Sequence, residues 1–327
     1  MSDVVIDRTQ GSAIEAILRD ELARENRALR GAAPVITHML EDAGHGLVTD
    51  AVVARVRGML ADIARQLLAA SPRDHSDDPQ FPDCVVDALC DALASDNALL
   101  AHCHALAVET ELTRRLEQDA ALDPVLSPLM QELVASKREE VAELAMSVLA
   151  AQSRFVQTQR RMHLPLGELP AELFGAAVRR FEKAKLGLEA EAIAKAKDVL
   201  RGEYDEAESR AGRMLRLVTV LGAGALAALE LDHAGLALFA SAIAARTRQP
   251  RDLAVLACHE RQPSRLALSL RAAGLEPDAI ERQFRLLHPA GLLPDMLGAI
   301  APDQARALLA GNSASENAHQ AVGRGAL

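Results

Sequence analysis

Capped amphipathic segments follow one another along almost the whole chain, and this punctuation constrains the fold more than any other feature. Ser12-Ala13-Ile14-Glu15 has the form of a capping box, with Ile14, Ile17, Leu18 and Leu22 following on one face. That helix is expected to stop before Gly31, and Pro34 to open a short second helix ending at Gly44-His45-Gly46. Thr49 or Asp50 is placed to cap a third, with Val52, Val53, Val56, Met59, Leu60, Ile63 and Leu67 inward.

Residues 71–82, rich in Pro, Ser and Asp, read as a linker. Helices are then expected at about 83–94 and 97–117, and Asp123-Pro124 and Ser127-Pro128 pair a capping residue with a proline at the first helical position. Ser136-Lys137-Arg138-Glu139 forms a second capping box, opening a long helix with Leu144, Val148, Ala151, Phe155 and Met162 along one stripe. After a break at 163–170, helix starts recur near Pro170, Pro250, Pro263, Pro277, Pro294 and Pro302, and Gly274 marks a helix stop. Longer helices fall at about 187–201, 205–221 and 233–246.

The composition agrees. Only seven residues, six Phe and one Tyr, carry benzenoid rings, so the core must come from Leu, Ala, Val, Ile and Met. Ala and Leu favour helices, whereas β-rich chains favour β-branched and aromatic residues. The fold class expected is all-α, multi-helical, with stacked helical hairpins resembling an α-solenoid, although no strict period repeats. The expected organisation is an acidic helical domain at 1–70, the linker at 71–82, a repeat-like domain at 83–310 with a subdivision near 163–170, and a disordered tail at 311–327.

Charge narrows the functions. Residues 1–123 carry 22 Asp and Glu against 11 Lys and Arg, while residues 124–327 carry 24 against 25. An acidic first third repels nucleic acid and anionic membrane, and the rest lacks the aromatics of a base-stacking surface. Neither partner is expected. The longest apolar run, Leu217–Leu229, falls short of the ~20 residues that cross a bilayer and reads as a buried element. The first ten residues carry no basic segment leading into an apolar one, so Cys84, Cys90, Cys103 and Cys258 are expected to be reduced thiols of a cytoplasmic protein.

Several motifs imitate chemistry. Gly222-Ala223-Gly224-Ala225-Leu226-Ala227-Ala228 follows a β-branched run and fits the dinucleotide fingerprint, whose glycines let a backbone approach a pyrophosphate. Asp232-His233-Ala234-Gly235 would cut the following helix short, and no acidic residue stands about twenty positions on. A buried helix whose small residues admit a neighbour is the expected alternative. Cys84, Cys90, His102, Cys103 and His104 have no common zinc spacing, and on a helix His102 and His104 point about 200° apart. Asp74-His75-Ser76-Asp77-Asp78 is read as a solvated loop, and Cys258-His259-Glu260 lacks the second His of a zinc helix. No catalytic residue, cofactor or metal ligand is assigned. The candidate interaction surface is Arg154, Gln157, Arg160 and Arg161, which avoid the Phe155 and Met162 stripe.

Four segments carry a resemblance: HALAVETELTRRLEQDAALDPVLSPLMQELVAS (104–136), LAAQSRFVQTQRRMHLPLGELPAELF (149–174), LDHAGLALFASAIA (231–244) and RLALSLRAAGLEPDAIERQFRLLHP (265–289). Over roughly 97–300 the chain resembles an alphaproteobacterial family of all-helical proteins of unknown function. The resemblance implies a bacterial cytoplasmic helical-repeat protein and supplies no activity, cofactor or catalytic residue. The function expected is therefore that of a non-enzymatic interaction or scaffold protein, with or without a regulatory role, with a protein partner. The alternatives are a nucleotide-binding enzyme using Gly222–Ala228 and a small-ligand sensor with an apolar pocket between helices.

Overall fold

The computed structural model describes residues 2–41, 49–71, 81–184, 186–289, 291, 293 and 300–311, and the side chains within these from Ile14 on, except 38–41. The expected helix end at Gly44, most of the linker at 71–82, the start at Pro294 and the tail beyond Gly311 lie outside them.

The protein is all-α, with no strand among the described residues. The α-helices are α1 (Ser2–Glu41), α2 (Asp50–Ala69), α3 (Asp83–Ala94), α4 (Asn97–Ala120), α5 (Pro128–Val134), α6 (Glu139–Arg160) and α7 (Ala171–Lys183). They continue as α8 (Ala190–Glu203), α9 (Arg210–Leu221), α10 (Leu231–Thr247), α11 (Arg251–Ala257), α12 (Pro263–Ala273), α13 (Pro277–Leu287) and α14 (302–311). Tighter 3-10 turns occupy Leu166–Glu168, Glu206–Glu208 and Gly222–Leu229. The chain divides into two compact units, one made of Met1–Gly31, Leu112–Leu129 and Leu221–Leu327, the other of Ala32–Glu111 and Met130–Val220.

In the first unit every residue of α12 from Ser264 to Ala273 is buried, Arg265, Arg271 and two serines included. Leu268 and Ala272 pack with Ile14, Leu18 and Leu22 of α1 and with Ile300, Ala305 and Leu308. Its start is held by Glu25, whose carboxylate accepts the N–H groups of Ser264 and Arg265 at 2.9 and 2.8 Å. Its end is Gly274 at φ 101, the left-handed cap that the sequence marks. α10 breaks at Gly235, where φ 72 and ψ 157 are open to glycine and costly for other residues. Gly235→Ala should therefore lower stability by about 1–3 kcal/mol in urea unfolding at unchanged m.

The second unit gathers Val56, Met59, Ile63 and Leu67 of α2, Leu89 and Leu93 of α3, Leu99, Leu100 and Cys103 of α4, and Phe174 and Phe181 of α7. Thr49 caps α2, accepting from the Val52 N–H at 3.4 Å. Helices adjacent in sequence pack together as α2 with α3, α10 with α11, α11 with α12, and α12 with α13, which fits hairpin stacking within each unit.

Three expectations need correction. The N-terminal segment is one continuous helix through Gly31 and Pro34. Proline costs a helix one hydrogen bond and a local clash, and here the burial of Ala33 and Ile36 on the far side outweighs it. Ser136 does not cap α6: its hydroxyl accepts the Arg138 N–H at 3.2 Å, and the helix starts two residues later than expected, at Glu139 with Arg138 at the cap position. Met162 does not extend the Phe155 stripe, because it follows the end of α6 at φ 58 and is 37% exposed.

Candidate functional site

The C-terminal end of α6 is fixed by a row of residues on α2, spaced three and four apart. Arg55 Nη1 donates to the Gln159 carbonyl at 2.5 Å. Gly58 faces Met162 so closely that a Cβ there would lie 2.5 Å from the Met162 Cβ. Asp62 accepts the Leu164 N–H at 2.9 Å, and Gln66 both donates to the Leu164 carbonyl at 3.0 Å and accepts the Leu166 N–H at 2.9 Å. Gln159, itself buried, donates to the His163 carbonyl at 2.8 Å. The chain leaving α6 thus has its backbone groups satisfied by side chains, which holds it in one path.

On this anchored end Arg154, Gln157, Arg160 and Arg161 are all exposed. None forms an ion pair with a described residue, in contrast to Arg180 with Asp96, Arg213 with Glu208 and Arg285 with Glu281. Arg160 sits in the last turn, where a cation complements the helix dipole by about 0.3–1 kcal/mol.

The buried side of α6 carries a polar cluster that no sequence pattern announces. Arg210, 2% exposed, grips Glu109 with two bonds, Nη1 to Oε1 at 2.7 Å and Nη2 to Oε2 at 3.0 Å. Nη1 also reaches Gln152 Oε1 at 3.2 Å, and the guanidinium lies 3.6 Å from the Phe155 ring centroid. The Arg210 N–H is taken by Glu168 at 3.0 Å, which satisfies the start of α9. Both Glu109 oxygens have a guanidinium donor, so the cluster is suited to holding α4, α6 and α9 together.

Gly222 and Gly224 follow a helix, not the strand a dinucleotide fingerprint requires. Both are exposed, and a Cβ added at either would meet nothing within 4 Å, which also corrects the expectation of close packing there. The tighter winding over Gly222–Leu229 puts Leu226 47% outside. Arg210–Leu229 is long and apolar enough to cross a membrane by length and composition, with mean hydropathy 1.4, and 33% of that window is buried. Of the run Leu217–Leu229, expected to be buried, Leu217, Val218, Ala225, Ala228 and Leu229 are buried and the others are half-buried or exposed.

His102 and Cys103 are buried, and among the described residues no group of three or more His, Cys, Asp or Glu could hold a metal ion. Burial, with Asp87 and Asp91 nearby, raises the Cys90 thiol to about 11, far from a thiolate at neutral pH. The Cys258 thiol donates to the Ala254 carbonyl at 3.3 Å, while His259 Nδ1 accepts the Arg261 N–H at 3.2 Å.

No family model, curated protein or solved structure matches the chain.

Proposed function

We propose that the protein is a non-enzymatic interaction or scaffold protein of the bacterial cytoplasm, and that the Arg154, Gln157, Arg160 and Arg161 face docks onto acidic protein surface. The observation that carries this is three exposed arginines without an ion pair to any described residue, on a helix end fixed by Arg55, Asp62 and Gln66. Arg can grip a carboxylate through two parallel hydrogen bonds, which Lys cannot. One exposed pair contributes only about 0–1 kcal/mol, so a useful contact engages several at once. The resemblance to an all-helical family agrees with this reading and adds no chemistry to it.

The test is Arg160→Glu with Arg161→Glu. The double variant should keep its helical signal and melting temperature, and in native pull-downs it should lose a partner that wild type holds at low salt. Binding by wild type should weaken as salt passes about 0.15 M, where screening shortens to roughly 8 Å. If the variant folds and captures the same proteins, the face is a solvated one and the proposal fails.

A further inference from the structure

The solvent face of α6 is one continuous seam. Glu139, Glu143, Met146, Ala150, Arg154, Gln157 and Arg161 are all exposed. At about 100° per residue they fall within an arc of roughly 80°. The opposite face, with Val141, Leu144, Val148, Ala151 and Phe155, is buried. The seam steps by four and three residues, the spacing that lets two helices lie along each other.

Its chemistry changes along its length. The N-terminal third is acidic, the middle offers Met146, 52% exposed, and the small Ala150, and the last third is basic. None of Glu139, Glu140, Glu143, Arg154, Arg160 or Arg161 forms an ion pair with a described residue, so both ends keep their charge available. The seam is also symmetric about Ala150: Met146 and Arg154 stand four residues to either side, Glu143 and Gln157 seven, and Glu139 and Arg161 eleven.

We infer that the acidic surface docked by the arginine face is the N-terminal third of α6 in a second copy of this chain, the two α6 helices pairing antiparallel across a twofold axis at Ala150. The inference rests on the reading proposed above and names its partner. In a twofold contact, a residue that meets another is met by it in return. Antiparallel pairing about Ala150 sets Glu139 against Arg161 and Glu143 against Gln157, each twice, while Glu140 and Arg160 flank the seam on opposite sides and add to the charge of its ends. Met146 lies under the aliphatic stem of Arg154, which can cover apolar surface while its charge stays wet. Ala150 at the crossing lets the backbones approach. Parallel pairing would set like charges together and is disfavoured.

A groove of about 520 Å³ flanks the acidic end, lined by residues that include Glu140, Glu143, Leu144, Leu215 and Val220. Leu215 there is 52% exposed and extends the apolar surface beside the seam. One helix pair alone makes a small contact against the roughly 1,200 Å² at which specific interfaces begin, so this added surface matters and the dimer is a salt-sensitive one.

The test uses sedimentation velocity of the full chain over a concentration series at low and high salt. Wild type should dimerise at low salt and dissociate as salt rises. Glu139→Arg with Glu140→Arg makes both ends basic, and Arg160→Glu with Arg161→Glu makes both ends acidic. Each variant alone should stay monomeric, with its fold checked by circular dichroism. An equimolar mixture should dimerise again, because both end contacts are then attractive, and so should the chain carrying all four substitutions. Ala150→Cys in a Cys84→Ser background should form an intermolecular disulfide on mild oxidation. Wild type that stays monomeric throughout overturns the inference, as does a dimer indifferent to the charge reversals. In either case, loss of another partner by the Arg160 and Arg161 variant alone would leave the broader docking proposal standing.

Discussion

Replacing Arg210 by methionine should destabilise the fold by about 3–5 kcal/mol, because it leaves the Glu109 carboxylate buried without its guanidinium. Both side chains are 3% exposed or less, so water cannot take over the lost bonds. The same change removes the ring contact with Phe155 and the bond that Arg210 donates to Gln152, so the α6 side of the cluster loosens along with the α4 side. The measurement is urea unfolding, with a lower midpoint expected at unchanged m. A second variant separates pairing from packing. Arg210→Met with Glu109→Leu removes both charges and should recover most of the loss, since apolar replacements of a buried pair are often neutral or stabilising. If the double variant were as unstable as the single, the cluster would matter for shape and not for charge. The cluster bears on the docking surface as well. Gln152 and Phe155 fix the inner side of α6, whose outer side carries Arg154 and Gln157.

The helices announce themselves in the sequence wherever a local signal decides the structure. The capping residue Thr49, the prolines at 263 and 277, and Gly274 all mark helix ends through their own backbone chemistry, and the structure uses each of them. The apolar face of α2 is legible for the same reason, since periodicity needs no knowledge of the partner. Signals fail where a distant contact overrides them. Gly31 and Pro34 look like a break, yet the buried residues on both sides keep α1 continuous. The Glu109 and Arg210 pair spans 101 positions with nothing local to connect them. The segments at Met1–Gly31 and Leu221–Leu327 join one unit although the whole of the other lies between or around them in sequence, which no composition shift reveals. The candidate surface was half legible. Avoidance of the Phe155 stripe picks out Arg154, Gln157, Arg160 and Arg161, but the acidic half of the same seam emerges only once burial shows which side of α6 faces solvent.

Acidification should weaken the fold through His288, by about 3 kcal/mol between pH 7 and pH 4. The ring is 4% exposed and stacks on Phe284 with centroids 4.7 Å apart. Burial, then the charges of Arg115 and His259, push its pKa down from 6.5 to about 4, against a smaller opposing effect from Glu260. Arg115 is held close by its bond to the Leu287 carbonyl at 2.7 Å, so the repulsion is built into the fold. Because the folded value lies below the unfolded one, the stabilising effect is complete above pH 6.5 and is lost as pH falls through about 4. A shift of that size, at roughly 1.4 kcal/mol per unit, sets the expected loss. His259, lowered chiefly by its own burial, acts in the same direction. Glu25 acts in the opposite one: burial raises its carboxyl above 4.5, so its protonation on acidification favours the folded state. His288→Phe isolates the first contribution, since a phenyl ring can keep the stack on Phe284 and cannot take up a proton. Urea midpoints at pH 7, 5 and 4 should fall much less steeply for the variant than for wild type, so that the variant gains on wild type toward the acid end. Parallel curves would mean that His288 takes up its proton in the folded chain at the same pH as in the unfolded one, and that the acid sensitivity of the fold lies elsewhere.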